Sequence, residues 1–189
     1  ELVKTAEELA ALQQANGALP GSYNNEPVAT GVVQATTQAL VTWRQAYART
    51  ADARWLVPIR KAEQWLTLQA KRMSDEGGRL QDVDHAIIGL VAAGAGSGDK
   101  LIAALARVVE KQQHKDGGFA LADGGASSPF QTGQAVYALR LAGRSDGDPS
   151  VKRGTAWLTS HQQQDGSWGG GGFGKAEAMW AVLGLVSID

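Results

Sequence analysis

Two carboxylates and an imidazole fall within four residues at Asp82-Val83-Asp84-His85. Side chains of these types, this close, can donate or accept a proton or hold a hard or borderline cation. His85 could donate a hydrogen bond that assists a carboxylic acid, or could hold a carboxylate ionised and inert. The same aspartates also suit the start of a helix, where free amides and the helix dipole favour negative charge. A second polar set opens otherwise apolar stretches: Gln34 and Thr37, Gln131 and Gln134, and Glu177. Polar groups at the mouth of an apolar funnel are what a ligand-facing rim presents; merely solvated helix starts would read the same way.

The elements that carry these residues repeat. Arg153-Gly154-Thr155-Ala156-Trp157-Leu158 precedes His161-Gln162-Gln163-Gln164-Asp165-Gly166-Ser167-Trp168. Registering on Gln162, Gln113 and Gln13 stacks Gly166, Gly117 and Gly17, and then Trp168, Phe119 and Leu19. A further copy, around Gln64-Trp65-Leu66, has its glutamine, Gln69, one place early. After each turn comes an apolar stretch. Gln134 to Gly143 matches His85 to Gly94, and segments at Thr37 and Glu177 fit the same register. These stretches are apolar almost all round and read as helices buried on both sides. The helices before each turn carry more charge and should face solvent. Gly94 and Gly143 suit left-handed helix ends. Asp52, Asp99 and Ser150 suit helix starts, and Pro58 an early helical turn. The expectation is one all-α domain over 1–189 built of four αα-hairpins, about 1–50, 51–98, 99–147 and 148–189.

Composition removes several alternatives. With no cysteine among 189 residues there is no disulfide, thiolate zinc site or cysteine nucleophile. The histidines, His85, His114 and His161, make a weak metal set, and no cofactor is expected. A net charge of −1 gives no electrostatic reason to expect nucleic acid. No apolar run approaches the roughly 20 residues that span a bilayer. The opening Glu1-Leu2-Val3, without methionine, suggests a removed leader or upstream domain, and export. Gly169-x-Gly171-x-x-Gly174 spells a dinucleotide fingerprint with no strand before it, and Gly94 to Lys100 lacks phosphate-loop spacing. No nucleophile-elbow spacing appears.

The run Arg153-Gly154-x-x-Trp157-Leu158-x-x-x-Gln162-x-x-x-Gly166-x-Trp168 resembles the QW motif of squalene–hopene and oxidosqualene cyclases. The wider pattern is similar to the terpenoid cyclase/protein prenyltransferase α/α-toroid superfamily. The resemblance implies inner helices around a funnel and outer helices around those, with the motif glutamine tying down an outer-helix end. It also implies a role for Asp82-Val83-Asp84-His85, which sits where class II terpene cyclases carry Asp-x-Asp-Asp. There the middle aspartate donates a proton to an alkene, which maps to Asp84. Asp82 matches the first position, and His85 replaces the last aspartate. Superfamily branches that need cysteine, the zinc prenyltransferases and the thioester domains, do not fit a chain without it. Trp168, Phe119, Trp157 and Trp65 read as scaffold, which leaves few aromatic faces to stabilise a carbocation. Family toroids usually use about six hairpins, so four suggest a partial or small ring that self-associates through open edges.

Two functions follow as expectations. One is a binding or scaffold module that takes an apolar small molecule or a protein on its concave face. The other is a terpene-cyclase-like enzyme, or part of one, with Asp84 as general acid assisted by Asp82 and His85.

Overall fold

The structure, a computed structural model, describes residues 1–24, 27–28, 31–169 and 173–186. Among these residues there is no strand, and no helix is long and apolar enough to cross a membrane. Eight α-helices form four hairpins: α1 (Leu2–Leu12) with α2 (Val32–Thr50), α3 (Leu56–Glu76) with α4 (Leu80–Ala92), α5 (Lys100–Lys111) with α6 (Pro129–Leu141), and α7 (Pro149–Ser160) with α8 (Gly174–Leu185). A short 3-10 turn, Ala53–Trp55, leads into α3.

The even-numbered helices pack side by side, α2 on α4, α4 on α6 and α6 on α8, and the odd-numbered helices lie outside them. This is the α/α-toroid arrangement. No packed pair joins α8 back to α1 or α2 among the described residues, so the ring is an open arc. A continuous apolar core runs through the first three hairpins and reaches Val151 of α7. The last hairpin adds a small cluster of its own: Trp157, Leu158, Trp168 and Ala181.

The turns between outer and inner helices share one hydrogen-bond plan. Gln113 Nε2 donates to the Gly117 carbonyl at 2.9 Å and to the Ser150 carbonyl, on the next outer helix, at 2.9 Å. Gln13 Nε2 does the same with Gly17 and Pro58, both at 3.0 Å. One amide thus closes its own turn and fastens the following hairpin. Within the turn Asn16, Asp116 and Asp165 each accept from the backbone amide two residues on, at 2.9–3.0 Å. Gly17, Gly117 and Gly166 take the positive φ that such a turn requires, from 83° to 95°. Thr36 and Thr132 then accept the amides of Leu19 and Phe119, at 2.9 Å each, which seats the turn's apolar residue on the inner helix. The second turn departs from this plan. There Gln112 Nε2 reaches the Gly78 carbonyl instead, at 3.3 Å, and α5 packs directly on α3.

Helix ends follow local chemistry. Asp99 caps α5 through the amides of Leu101 and Ile102, and Asp52 caps the 3-10 turn through Arg54. Ser150 lies inside α7 and Asp148 takes the cap position, its carboxylate turned back to Ser145. Gly94 and Gly143 end α4 and α6 at φ 106° and 85°, and the following amides close on Leu90 and Leu139.

One expectation fails. α4 and α6 are buried as their composition requires, but α8, equally apolar, is not. Met179 and Val182 are 49% and 48% exposed. The reason is positional: α4 and α6 have a hairpin on each side, whereas among the described residues α8 packs on α6 and α7 alone.

Removing the bridging amide should cost most where both carbonyls are present. Gln113→Ala should destabilise the chain by about 1–3 kcal/mol, the cost of unmaking such bonds. Gln162→Ala, whose side chain is exposed and bonds only the Gly166 carbonyl (3.0 Å), should cost about 0.5 kcal/mol or less. Urea unfolding of the two variants measures the difference.

Candidate functional site

α4 begins after the left-handed Gly77 with Leu80, and Asp82 falls in its first turn, where charge suits the helix dipole. Asp84 lies two residues further along, on the opposite side of the helix. It has no exposed surface, and neither carboxylate oxygen has a hydrogen-bond partner among the described residues. It caps nothing; the α4 cap position belongs to Arg79, without a side-chain bond. Burial pushes the Asp84 carboxyl well above the usual carboxylate range. Burial therefore favours its protonated form.

His85 does not assist it by a hydrogen bond. Its Nδ1 lies 2.8 Å from the Gln81 carbonyl, one turn back along α4. A carbonyl accepts only, so Nδ1 carries the hydrogen. Burial brings the imidazole down to about 4, and it is neutral near pH 7. Neither the acid-sharpening bond nor the charge that would hold Asp84 ionised is present. Asp82 likewise makes no hydrogen bond to either Asp84 oxygen.

His85 instead faces aromatic rings. Its ring meets Trp180 of α8 edge-on, with centroids 6.3 Å apart. Trp180 also touches Phe130 and Tyr137 of α6, at 6.0 and 6.1 Å. Phe130, Gln134 and Tyr137 are spaced i, i+4, i+7, which places Gln134 between the two rings on one helix face. Gln134 is fully buried, and both ends of its amide are unpartnered among the described residues. α8 can approach this face because of glycine. A Cβ on Gly133 would collide with the Trp180 carbonyl, and one on Gly184 would sit 2.8 Å from the Gly133 carbonyl. Aromatic counting in the sequence underrated this cluster. The signal available was the shared register of Tyr137 and Trp180, with Phe130 two turns before Tyr137.

The remaining rim residues are buried or half-buried. Thr37 Oγ1 donates to the His85 carbonyl at 2.9 Å, which clamps α2 to α4. Gln34 Nε2 donates to the Val28 carbonyl at 2.9 Å. The Gln131 amide nitrogen of the backbone bonds Ser128 Oγ at 3.3 Å, and that hydroxyl turns to Gln131 Oε1, which leaves Gln131 Nε2 unpartnered. The half-buried Glu177 lies over Gly169, and its Oε2 has no partner among the described residues. The main surface grooves among the described residues, such as that along Gly78, Leu80 and Gln112 and that between Arg44, Tyr47 and Ile59, are lined by residues other than Asp84 and Gln134. No three His, Asp or Glu side chains converge to hold a metal ion among the described residues. The fingerprint-like Gly169-x-Gly171-x-x-Gly174 spans Gly171, which lies outside the described residues, and Gly174 opens α8.

The helices define an α/α-toroid repeat protein. A family model of the squalene-hopene cyclase C-terminal domain matches residues 80–179, more than half of the chain, and the chain belongs to that family. A curated relative, a squalene-hopene cyclase of Schizosaccharomyces japonicus, is 52% identical over 42 residues. That match covers 22% of this chain and 6% of the relative, so the chain spans a small part of the relative's length.

The two shifted groups make opposite pH contributions to stability. Below its ordinary 6.5 the unfolded His85 takes a proton that the folded state refuses down to about 4. Stability is therefore lost as pH falls through that window. The unfolded Asp84 releases its proton near 3.8, whereas the folded state releases it only at higher pH, so stability is lost as pH rises above 3.8. Asp84→Asn should flatten the loss on the alkaline side, and His85→Gln the loss between about 6.5 and 4. Urea titrations across pH 3–9 read both slopes; an unchanged alkaline slope in Asp84→Asn would mean that Asp84 titrates normally.

Proposed function

We propose that this squalene-hopene cyclase-like domain protonates an isoprenoid alkene, with Asp84 as the general acid. The observation that carries the reading is a carboxyl group with no exposed surface and no partner on either oxygen. Buried polar groups are nearly always paired, and one left unpaired asks for a reason. Burial raises its pKa well above the usual carboxylate range and so favours the protonated form.

The step balances simply. The Asp84 O–H bond breaks, a new C–H bond forms at one alkene carbon, and positive charge develops on the other. A lone carboxylate at this position is costly to form. Here it forms together with a cation, and in a low-dielectric interior the pair attract. Aromatic faces stabilise a cation further, and Trp180, Phe130 and Tyr137 stand together beside His85. Closure of a ring is followed by loss of a proton from the substrate. Asp84 regains its proton from water when the product leaves, so the net reaction is an isomerisation. Neither Asp82 nor His85 bonds an Asp84 oxygen, so neither assists the transfer through a hydrogen bond.

A second reading is a module that binds an apolar molecule or a protein on its concave face, which needs no proton transfer; it is favoured by an Asp84 that lines none of the surface grooves described above.

Incubation with acyclic isoprenoid alkenes of increasing length in heavy water separates the two. The enzyme reading expects cyclised or isomerised product carrying deuterium, and its loss by a factor of about 100 or more in Asp84→Asn, the usual scale for a general acid. Deuterium-free recovery of every substrate, or product formation that survives Asp84→Asn, favours the module.

A further inference from the structure

Buried donors without an acceptor are uncommon, and one of them lies at the junction of the first and second hairpins, among the outer helices. Trp55, at the end of the 3-10 turn, is 2% exposed, and its indole Nε1 has no hydrogen-bond partner among the described residues. The ring forms part of a groove of about 390 Å³ between α1 and the start of α3. Ala10, Val57 and Pro58 supply an apolar wall, and Val57 is 54% exposed. Small-molecule sites of about 300–1,000 Å³ combine such walls with a few placed polar groups.

Glu7, Arg54 and Lys61 bring charge to the groove. Arg54 is already committed. It pairs with Glu7 and with Asp52, at 2.9 Å each, and its guanidinium lies over the Trp55 ring, 4.5 Å from the centroid. Lys61 is in no ion pair among the described residues.

The repeat supplies an internal comparison. A Cβ on Gly17 would strike the carbonyl of Lys61, and one on Gly117 the carbonyl of Arg153, so Lys61 holds the place of Arg153. At the junction of the third and fourth hairpins the groove's donors are spent on the protein itself. Arg153 donates to Gln113 Oε1, and the Trp157 indole donates to Asp116 at 3.2 Å. At the first junction Gln13 bonds Gly17 and Pro58 but not Lys61, and the Trp55 indole meets no carboxylate. One scaffold thus closes one groove on itself and leaves the other with an ammonium and an indole N–H to give.

We propose that the groove between α1 and α3 binds a monocarboxylate with a short apolar chain. Its carboxylate pairs with the Lys61 ammonium and accepts from Trp55 Nε1, and its chain lies on Ala10, Val57 and Pro58. A carboxylate only accepts, which is what two donors without acceptors require. Two cations, Arg54 and Lys61, stand against one anion, Glu7, which suits a single negative charge and opposes a doubly charged phosphate ester. The indole N–H is shut off from bulk water, and Arg54, about half exposed, is the side chain that turns aside to admit the oxygen. The site does not depend on the chemistry of Asp84.

Octanoate is the probe. It is titrated into the whole 189-residue chain and followed by calorimetry and by the assigned indole N–H resonance of Trp55. Octanoate should bind saturably and shift that resonance. Lys61→Gln should weaken binding about tenfold or more, the scale of a lost bond to a charged group. Val57→Asp, at an exposed position, should weaken it as much by setting a second carboxylate against the first. Both are surface changes that keep the fold, which circular dichroism checks. Octanol, with the same chain and no charge, should bind at least about tenfold more weakly. The proposal is overturned if octanoate does not saturate or leaves the Trp55 resonance unmoved. It is equally overturned if neither substitution weakens binding, or if octanol binds as tightly as octanoate.

Discussion

A glutamine side chain that spends one amide group on two carbonyls organises this molecule. The last carbonyls of an α-helix have no partner within it, and a turn that follows must find some for its own backbone. Gln13 and Gln113 satisfy the turn carbonyl and, with the second hydrogen, a carbonyl at the start of the next outer helix. The bond is local and long-range at once. It fixes the angle at which one hairpin leaves and the place where the next arrives. Stability thus becomes a nearest-neighbour property, with each hairpin supported by the one that follows.

That arrangement explains the uneven burial. Inner helices α4 and α6 receive neighbours on both sides and can be apolar all round. The same composition in α8 packs, among the described residues, on α6 and α7 alone, and the last hairpin has just a thin cluster beneath it. Tight stacking also needs backbone to approach backbone. Gly133 and Gly184 let α8 settle on α6 so closely that Trp180 reaches the rings of Phe130, Tyr137 and His85.

Polar groups inside this stack carry the functional interest. Thr37 is spent as a clamp between α2 and α4, and His85 is held by its own helix. Asp84 and Gln134 are different: buried, unpaired among the described residues and placed on inner helices. Groups of this kind oppose folding unless something else uses them. Burial penalises the ionised form of Asp84 more than the protonated one, which raises its pKa.

The sequence by itself determined the hairpins. The register of Gln13, Gln113 and Gln162, the glycines after them and the apolar stretches beyond are local chemistry repeated along the chain, and local chemistry can be read without knowing what lies across the fold. It also located Asp82-Val83-Asp84-His85 at an inner-helix start. It could not separate Asp82 from Asp84, because both suit a helix N-terminus and only a neighbouring helix decides which is shut away from water. Nor could it see that His85 would bond back to Gln81, that Phe130 and Tyr137 would flank Gln134, or that Asn16, Asp116 and Asp165 would tie their turns. Those outcomes depend on which surfaces face each other. α8 is the clearest case: its residues read as buried, and only the tertiary structure shows Met179 and Val182 about half exposed among the described residues.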